Sequence, residues 1–386
     1  MHQVTVNRKA ADRVASGHPW IFSSDVLDTG GAPPGAAVKV IDQGGRAIGT
    51  AHFSSASQIA LRLLSRRVEE INREFFLERL AAAERHRRRI VANTNTCRLV
   101  HGEGDLLPAL VVDRYADCLV LQTLDQGMDK ARDPIISALV ELLAPRSIVA
   151  RNDASVRAKE ALPLESGVVY GEDPGIVEVC MNGLQMRADL LHGQKTGIFL
   201  DQRENYLAAA RYAHGKALDC FTSSGGFALH IARSCESVEA VDSSAAALAA
   251  AAQNGALNNI SNIEFREADV FDLLASYSSA RRRFSTVILD PPAFAKSRRS
   301  LDAAARGYKE INLRALRLLE PGGILVTCSC SHHLSEAALL ELVAEASLDA
   351  RRQLRVLERR TQSQDHPILL TVPETHYLKC LILEVL

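Results

Sequence analysis

Two apolar runs in the last third of the chain are each followed by a residue whose side chain can take part in catalysis. Thr286–Leu289 is followed directly by Asp290 and two prolines, and Gly323–Val326 is followed by a Thr-Cys-Ser-Cys-Ser segment that contains Cys330. Runs of this kind are typical of buried parallel strands. We expect the two strands to be neighbours, so that Asp290 and Cys330 reach the carboxyl edge of one open α/β sheet, where ligands bind. An acid beside a thiol suits chemistry on a flat polar ring such as a nucleobase.

The pattern from about residue 186 onwards alternates between strands and helices. Leu218–Phe221 predicts a first strand, which is followed by a glycine-containing loop and a helix, and Val238–Asp242 predicts a second strand. Repeated β-α units predict a mostly parallel, Rossmann-like sheet with right-handed crossovers. The stretches 355–360 and 377–385 predict an antiparallel strand pair at the edge of that sheet.

Acids at the ends of three successive predicted strands indicate a cofactor that contains adenosine. Asp219 belongs to the first strand, Asp242 can accept both ribose hydroxyls, and Asp269 can accept from the adenine amino group. The loop holds only the pair Gly225 and Gly226, without the G-x-G-x-x-G spacing of dinucleotide sites and without a P-loop lysine. This combination predicts S-adenosylmethionine, a cofactor that has no pyrophosphate.

A polar run from Gly193 to Arg203 precedes the first strand of the sheet. It can fold over the methionine end of the cofactor, and a plain domain linker is the alternative. The positions expected to bind the cofactor are Gln194, Thr196, Gly197, Phe199, Asp201, Arg203, Asp219, Phe221, Ser223, Gly225, Gly226, Asp242, Asp269, Asp290 and Pro291. The positions expected to bind the substrate are Pro292, Phe294, Lys296 and Arg298.

The chain has 386 residues, enough for two or three domains. Residues 1–70 combine short alternating runs with turns rich in glycine and proline, which predicts a small β-barrel. A helical period and further strand-like segments predict a central α+β domain over residues 71–185. Residues 186–386 then form the cofactor-binding domain.

Composition limits the class of protein. The net charge of -1 does not indicate a nucleic-acid binder, so RNA binding would need local basic faces such as 85–89, 281–283 and 296–299. Eight scattered cysteines and no secretory signal predict a cytoplasmic protein with reduced thiols. We expect no metal, because no second Cys/His pair has matching ligand spacing. No apolar stretch reaches the length of a membrane span.

Several segments also occur together in one known family. They are Gly17–Phe22, Gly104–Pro108, Val112–Tyr115, Gly193–Arg203, Asp290–Pro292, Ser329–Ser331, Asp365–Pro367, Pro373–Thr375 and Tyr377–Lys379. In these segments the chain resembles the bacterial 23S rRNA cytosine-C5 methyltransferases that carry an N-terminal PUA domain, and the resemblance covers essentially its whole length. One departure is Cys328, because the position two before the Ser-Cys-Ser cysteine is often bulky and apolar.

The resemblance implies a fold, a cofactor and a substrate. The fold is an N-terminal PUA-type β-barrel, a central α+β domain and a C-terminal Rossmann-like class I methyltransferase domain. The methyl donor is S-adenosylmethionine, and the partner is 23S rRNA, free or in a precursor of the large subunit. The thiol of Cys330 is the expected nucleophile, with Cys328 as a second candidate. A homodimer is one option for the oligomeric state.

The chemistry of cytosine explains why a thiol and an acid are needed. Addition of a thiolate to C6 makes C5 nucleophilic enough to accept a methyl group. Cys330 and Asp290 match the roles of nucleophile and of acid near N3, and Phe294 can either stack on a flipped base or pack under the turn. The base that removes the C5 proton stays open between Asp365, His366, His332 and water.

Two other functions remain open at this point. The Asp-Pro-Pro turn also resembles that of methyltransferases that act on exocyclic amines or on guanine and need no thiol. Cys330 would then be a small buried hydrophobic residue. The second alternative is a non-catalytic RNA-binding or ribosome-assembly protein that has kept the fold.

Overall fold

The computed structural model describes residues 1–193, 198–294 and 301–386. The chain divides into two compact units, of which the first comprises Met1–Cys180, Ala188–Ile198 and Gln364–Thr375. The second comprises Met181–Arg187, Phe199–Ser363 and His376–Leu386. The chain therefore passes between the units several times, and the domain boundaries predicted at residues 70 and 185 stay predictions.

The first unit begins with a six-stranded mixed sheet. Its inward-facing apolar side chains, such as Val38 and Val40, alternate with less buried neighbours, as expected for strands with one face in a core. The sheet order is β2-β6-β5-β4-β1-β3, in which β1 and β4 are parallel. The elements are β1 (His2–Val6), α1 (Arg8–Ala15), β2 (Trp20–Phe22), β3 (Val26–Asp28), β4 (Ala37–Ile41), β5 (Ala47–Phe53) and β6 (Ile59–Ser65).

A five-stranded sheet with helices follows in the same unit. Its order is β11-β10-β9-β8-β7, and helices α2 and α4 pack against each other. The Asn72 side chain caps α2 by accepting from the Phe75 amide at 3.0 Å. The elements are α2 (Arg73–Ile90), β7 (Thr96–His101), β8 (Leu110–Tyr115), β9 (Cys118–Thr123), α3 (Gln126–Lys130), α4 (Arg132–Leu143), β10 (Ser147–Asn152) and β11 (Glu165–Gly171). A two-stranded hairpin comes next, β12 (Ile176–Met181) with β13 (Leu184–Asp189).

Residues 364–375 are held in the first unit by buried charges. Asp365 accepts from the backbone amide of Arg98 at 2.9 Å, and its carbonyl accepts from Arg87 at 2.8 Å. Arg87 also forms a two-fold ion pair with Asp105. His366 contacts the Asp365 carboxylate at 3.1 Å. Because an unpaired buried charge is costly, a network satisfied in this way specifies one position for the segment.

The second unit is a seven-stranded sheet with helices in the order that the sequence predicts. The sheet order is β16-β15-β14-β17-β18-β20-β19; the first five strands are parallel, while β20 is antiparallel to both β18 and β19. The predicted antiparallel edge pair is therefore confirmed. The strands are β14 (Lys216–Cys220), β15 (Ser237–Asp242), β16 (Ile263–Glu267), β17 (Phe284–Leu289), β18 (Leu319–Ser329), β19 (Leu354–Arg360) and β20 (Lys379–Val385).

The helices of this unit connect those strands. They are α5 (Arg203–Tyr212), α6 (Gly226–Ile231), α7 (Ala245–Leu257), α8 (Val270–Ser279), α9 (Leu301–Leu318) and α10 (Glu336–Asp349). Strand β14 lies between β15 and β17, so the order of the strands reverses there, and such a point is where open α/β sheets bind ligands. No helix in the part of the chain that the structure describes combines the length and apolarity needed to cross a membrane.

Candidate active site at the carboxyl edge of the second sheet

Two neighbouring parallel strands deliver the predicted acid and thiol to one edge. In the register of β17 and β18, Leu289 is opposite Thr327. Asp290 follows the last residue of β17, and Cys330 follows the last residue of β18. Both side chains are half-buried. The prediction that Asp290 and Cys330 reach the same sheet edge is therefore confirmed, while their roles stay predictions.

The loop after β14 is held by Asp219 in a conformation that brings backbone close to the edge. One oxygen of the Asp219 carboxylate accepts from the Thr222 hydroxyl at 2.6 Å and from the Ala228 amide at 3.0 Å. Phe221 and Ser223 both adopt positive φ, at 65° and 50°. Strained backbone of this kind clusters at ligand sites, where surrounding contacts maintain it.

The two glycines of this loop are needed for different reasons. Gly225 has a φ of 86°, which side-chain-bearing residues rarely adopt. A β-carbon on Gly226 would lie 2.4 Å from the Tyr206 hydroxyl, so this position requires the absence of a side chain. The loop therefore presents bare backbone at the start of α6, which suits the close approach of a ligand.

Asp219 retains an acceptor that no described group uses. Its second carboxylate oxygen is buried and has no hydrogen-bond partner. The pKa of Asp219 is raised to about 7, mainly by burial and also by the nearby charge of Asp290, with the Thr222 hydrogen bond acting in the opposite direction. An unused buried acceptor beside bare loop backbone is consistent with a polar ligand at this place.

The other two strand-end acids accept hydrogen bonds from backbone amides and can still accept hydrogen bonds from a ligand. The Asp242 oxygens accept from the backbone amides of Ser223 and Ser244, each at 2.9 Å, and the side chain is half-buried. Asp269 is exposed and caps α8 by accepting from the Asp272 amide at 3.1 Å. Because each carboxylate oxygen has two lone pairs, both acids keep acceptor capacity for an adenosine. The residues at the edge therefore fit S-adenosylmethionine.

The residues just before α5 form buried hydrogen bonds that hold this part of the chain in place. The Asp201 carboxylate accepts from the Tyr377 hydroxyl at 2.8 Å, and the Phe199 carbonyl accepts from Tyr206 at 3.3 Å. Arg203 is buried and donates to Glu204 at 3.2 Å. These contacts fix the end of the run that approaches β14. Gln194, Thr196 and Gly197, as well as Lys296 and Arg298, lie outside the described residues.

Gln202 is a further residue of the candidate site, and it contacts Asp290. Its amide nitrogen donates to the Asp290 carboxylate at 3.0 Å, and its oxygen accepts from Asn205 at 2.7 Å. Only 2% of Gln202 is exposed. The side chain therefore orients the predicted acid. Its place inside the run 193–203 was the available signal, but nothing in the sequence distinguishes it from its neighbours.

The two candidate thiols occupy different environments. Cys328 lies within β18, is completely buried and is opposite Cys380 of β20. Burial, together with the hydrogen bond to Cys380, raises the pKa of the Cys328 thiol well above its usual value. A buried thiol of this kind is inert. Cys330 lies beyond the end of the strand and is half-buried, so only this thiol is placed at the sheet edge.

A buried tyrosine joins the two serines that flank Cys330. Ser329 donates to the Tyr308 hydroxyl at 2.9 Å, and the same hydroxyl contacts the Ser331 hydroxyl at 3.0 Å. The Tyr308 side chain is completely buried. These bonds fix the backbone on both sides of Cys330. Neither the tyrosine nor its partners could be paired from sequence, because about 20 residues separate them.

Lys379 places a positive charge near the same turn. Its ammonium donates to the Ser331 carbonyl at 2.6 Å and to the Tyr377 carbonyl at 2.8 Å, and the residue is 3% exposed. Burial lowers the pKa of Lys379 to about 8, while the charge of Cys330 acts in the opposite direction. A neighbouring ammonium favours the thiolate form of a cysteine.

The remaining substrate candidates differ in exposure. Pro291 is buried and Pro292 is exposed. Phe294 packs against Tyr308, with ring centroids 4.7 Å apart, and against Phe271 at 5.9 Å. Phe294 is thus partly buried and packs under the turn. This is one of the two roles that the sequence left open for it.

The structure also separates the three side chains that are candidate bases. Asp365 and His366 are buried in the network of the first unit, with 0% and 2% exposure, and are engaged there. His332 is exposed, and its ring centroid lies 5.5 Å from that of Tyr377. Of these three side chains, His332 is therefore the one that lies in the second unit, shortly after Cys330 in the chain. Among the described residues, no group of three or more His, Cys, Asp and Glu could hold a metal ion.

Two protein families match this sequence. Residues 4–66 match the PUA-like domain, and residues 98–382 match the S-adenosylmethionine-dependent methyltransferases. The curated relatives of this chain include proteins named ribosomal RNA large subunit methyltransferase I. The protein from Shewanella amazonensis is 41% identical over 95% of both chains, and that from Tolumonas auensis is 41% identical over 95% of this chain and 94% of its own.

Solved structures with the same fold are also methyltransferases by description. One was solved in complex with SAH and superimposes with a TM-score of 0.86 at 19% identity. A second, described as S-adenosylmethionine-dependent and from Streptococcus mutans, has a TM-score of 0.85 at 19% identity. Each covers 100% of both chains. At this identity, the likeness concerns the fold alone.

Proposed function

Because this chain belongs to the S-adenosylmethionine-dependent methyltransferase family and carries a PUA-like domain, we propose that it forms 5-methylcytosine in 23S rRNA through a covalent adduct of Cys330. The names of its curated relatives support a ribosomal RNA substrate. The observation that carries the cytosine assignment is the position of Cys330. This thiol lies beside Lys379 at the edge that also holds Asp290, whereas Cys328 is buried.

The cofactor would be held by the acids and the loop of the second sheet. Asp242 and Asp269 accept from the adenosine, and the bare backbone at Gly225 and Gly226 admits it closely. The second carboxylate oxygen of Asp219, which has no partner in the protein, accepts a hydrogen bond from a further donor of the cofactor. When bound, S-adenosylmethionine supplies an electrophilic methyl group.

The residues of the chain activate the cytosine ring. The Cys330 sulfur forms a bond to C6, and the electron pair of the C5–C6 double bond moves so that C5 becomes nucleophilic. Lys379 favours the thiolate that starts this step. Asp290, oriented by Gln202, forms a hydrogen bond at N3 and stabilises the charge that develops on the ring.

Release requires loss of the C5 proton and cleavage of the bond between sulfur and C6. The C5–H electron pair restores the double bond, and the thiolate leaves. His332 or water accepts the proton, because Asp365 and His366 are engaged in the first unit. A second cysteine is not needed for this step, and Cys328 is too buried to assist.

The matched variants Cys330→Ala and Cys328→Ala test the proposal. We expect Cys330→Ala to lose methyl transfer while it keeps S-adenosylmethionine affinity, and Cys328→Ala to keep substantial activity. RNA that contains 5-fluorocytosine at the target should trap a covalent complex with the wild type and with Cys328→Ala, because fluorine cannot leave as the proton does. If Cys330→Ala stays fully active and no adduct forms, methylation of an exocyclic amine replaces the cytosine-C5 reaction.

A further inference from the structure

A series of hydrogen-bonded side chains crosses the second unit and ends on Asp290. It begins at Arg360, the last residue of the outermost strand β19, and continues through Asn205 of α5. Gln202, just before that helix, then contacts Asp290. Strands β18 and β20 lie between β19 and β17, the strand that precedes Asp290. The side chains therefore connect the edge of the sheet with the candidate site.

Asn205 is buried, and every polar group of its side chain has a partner. The residue is 0% exposed, and its Oδ1 accepts from Nε of Arg360 at 2.9 Å. Its Nδ2 donates to Oε1 of Gln202 at 2.7 Å and to the Thr361 carbonyl at 3.1 Å. Both N–H groups of the Asn205 amide are therefore used, and its oxygen is used as well.

The partners of Asn205 allow only one orientation of its amide. A guanidinium can only donate hydrogen bonds, and a backbone carbonyl can only accept them. Rotation of the amide by half a turn would direct its N–H groups at Arg360 and its oxygen at the Thr361 carbonyl. That arrangement leaves buried polar groups unpaired, which is costly. The amide nitrogen of Asn205 therefore faces Gln202.

The orientation of Asn205 determines that of Gln202. Because an N–H of Asn205 points at Gln202, the Gln202 amide accepts with its oxygen and presents its nitrogen to Asp290. Gln202 is only 2% exposed, so water does not replace either partner. The Gln202 nitrogen donates to Oδ1 of Asp290 at 3.0 Å. An N–H at one carboxyl oxygen disfavours a proton on that oxygen.

We propose that Asn205 is a positioning residue for Asp290: through Gln202 it keeps Oδ1 as an acceptor and confines the acidic proton to Oδ2, the oxygen that faces the substrate base. The inference rests on the proposed function, in which Asp290 forms a hydrogen bond at N3. A proton held on one oxygen is presented to the ring in one direction, so that little reorganisation is needed in the transition state. With Gln202 reversed, its oxygen would draw the proton to Oδ1, away from the ring.

The variant Asn205→Asp of the full chain tests this role, because aspartate has nearly the same shape but cannot donate. It keeps the contact with Arg360 and turns Gln202, whose oxygen then faces Asp290. We expect kcat for methyl transfer to 23S rRNA to fall by about tenfold, a part of the roughly 10²–10⁴-fold that a positioned acid contributes. KM for the RNA and affinity for S-adenosylmethionine should not change, whereas a purely structural role would alter both.

The matched control is Asn262→Asp. Asn262 donates to the carbonyls of Ala232 at 2.8 Å and of Cys235 at 3.0 Å, so this variant also exchanges an amide with two donated hydrogen bonds for a carboxylate. Asn262 directly precedes β16 and lies at the amino end of the sheet, away from the candidate site, so kcat should stay at the wild-type value. Thermal melts check that both variants fold.

Two further variants keep the test decisive. If Asn205→Asp does not fold, Asn205→Leu replaces it; this variant adds no charge and leaves Gln202 without a fixed orientation, so we expect kcat to fall by about threefold. The double variant Gln202→Met with Asn205→Asp should have the same kcat as Gln202→Met alone, because Asn205 acts through Gln202. Losses that multiply in the double variant overturn the inference.

The outcomes for this inference and for the proposed function are distinguishable. Total methyl incorporation from labelled S-adenosylmethionine is measured separately from the 5-fluorocytosine adduct. If the wild type forms no adduct, the proposed function fails, while a lower kcat in the Asn205 variant still supports the positioning of Asp290. If the adduct forms but the Asn205 variant keeps the wild-type kcat, or loses no more activity than Asn262→Asp, the positioning role is overturned.

Discussion

Replacement of Asp219 by Asn should stabilise the second unit at neutral pH. The carboxyl is 0% exposed, and burial raises its pKa from 3.8 to about 7. Ionising it in the folded protein therefore costs more than ionising it in the unfolded chain. Asparagine has nearly the same shape, keeps an oxygen for Thr222 and Ala228, and carries no charge.

The magnitude follows from the linkage between protonation and folding. Since each pKa unit corresponds to about 1.4 kcal/mol, a rise from 3.8 to about 7 costs the folded state up to about 4 kcal/mol. The folded state binds the proton more tightly, so this cost is absent below the unfolded pKa. It grows as the pH rises from 3.8 and is complete above about 7. We expect Asp219→Asn to gain about 2–4 kcal/mol at about pH 8 and almost nothing near pH 4.

The assay must report on the second unit. Trp20 is the only tryptophan and belongs to the first unit, so its fluorescence is the wrong probe. Hydrogen exchange of peptides from β14 during urea unfolding, without cofactor, follows the relevant sheet. Glu341→Gln, an exposed position on α10, is the matched control for removing one negative charge. If Asp219→Asn is no more stable than the wild type at about pH 8, the argument from the buried charge is refuted.

Three further variants test the site. Asp242→Ala should weaken S-adenosylmethionine binding by about 1.5–3 kcal/mol, and unchanged affinity in calorimetry would contradict the ribose contact. Tyr308→Phe should reduce kcat by up to about 100-fold through misplacement of Cys330, with unchanged cofactor affinity; a wild-type kcat would argue against positioning. Since the charge of Lys379, whose pKa is about 8, favours the Cys330 thiolate, Lys379→Met should need a higher pH than the wild type for half-maximal adduct formation, and an unchanged pH profile would contradict this role.

Much of the second unit could be predicted from the sequence. Apolar runs identify the parallel strands, and the acids that follow them identify the carboxyl edge, because both depend on local order in the chain. The strand-end acids Asp219, Asp242 and Asp269 were found in this way. Their contacts with a cofactor stay predictions, as do the roles of Asp290 and Cys330.

Other features depended on pairing between distant residues. Spacing does not distinguish Cys328 from Cys330, although the family resemblance favours Cys330; the pairing of Cys328 with Cys380 is what buries the first thiol. The sequence leaves Asp365 and His366 open as candidate bases, but Arg87 and Arg98, more than 260 residues earlier, hold their segment in the first unit.

The sequence by itself determined the order of strands and helices, the cofactor class and the two residues at the ends of β17 and β18. Periodicity and turn residues carry this information because they act over a few neighbouring positions. Tertiary structure alone decided that Cys328 is buried opposite Cys380 and that Lys379 lies beside Cys330. These outcomes depend on burial and charge, which arise only when strands such as β18 and β20, about 50 residues apart, lie side by side.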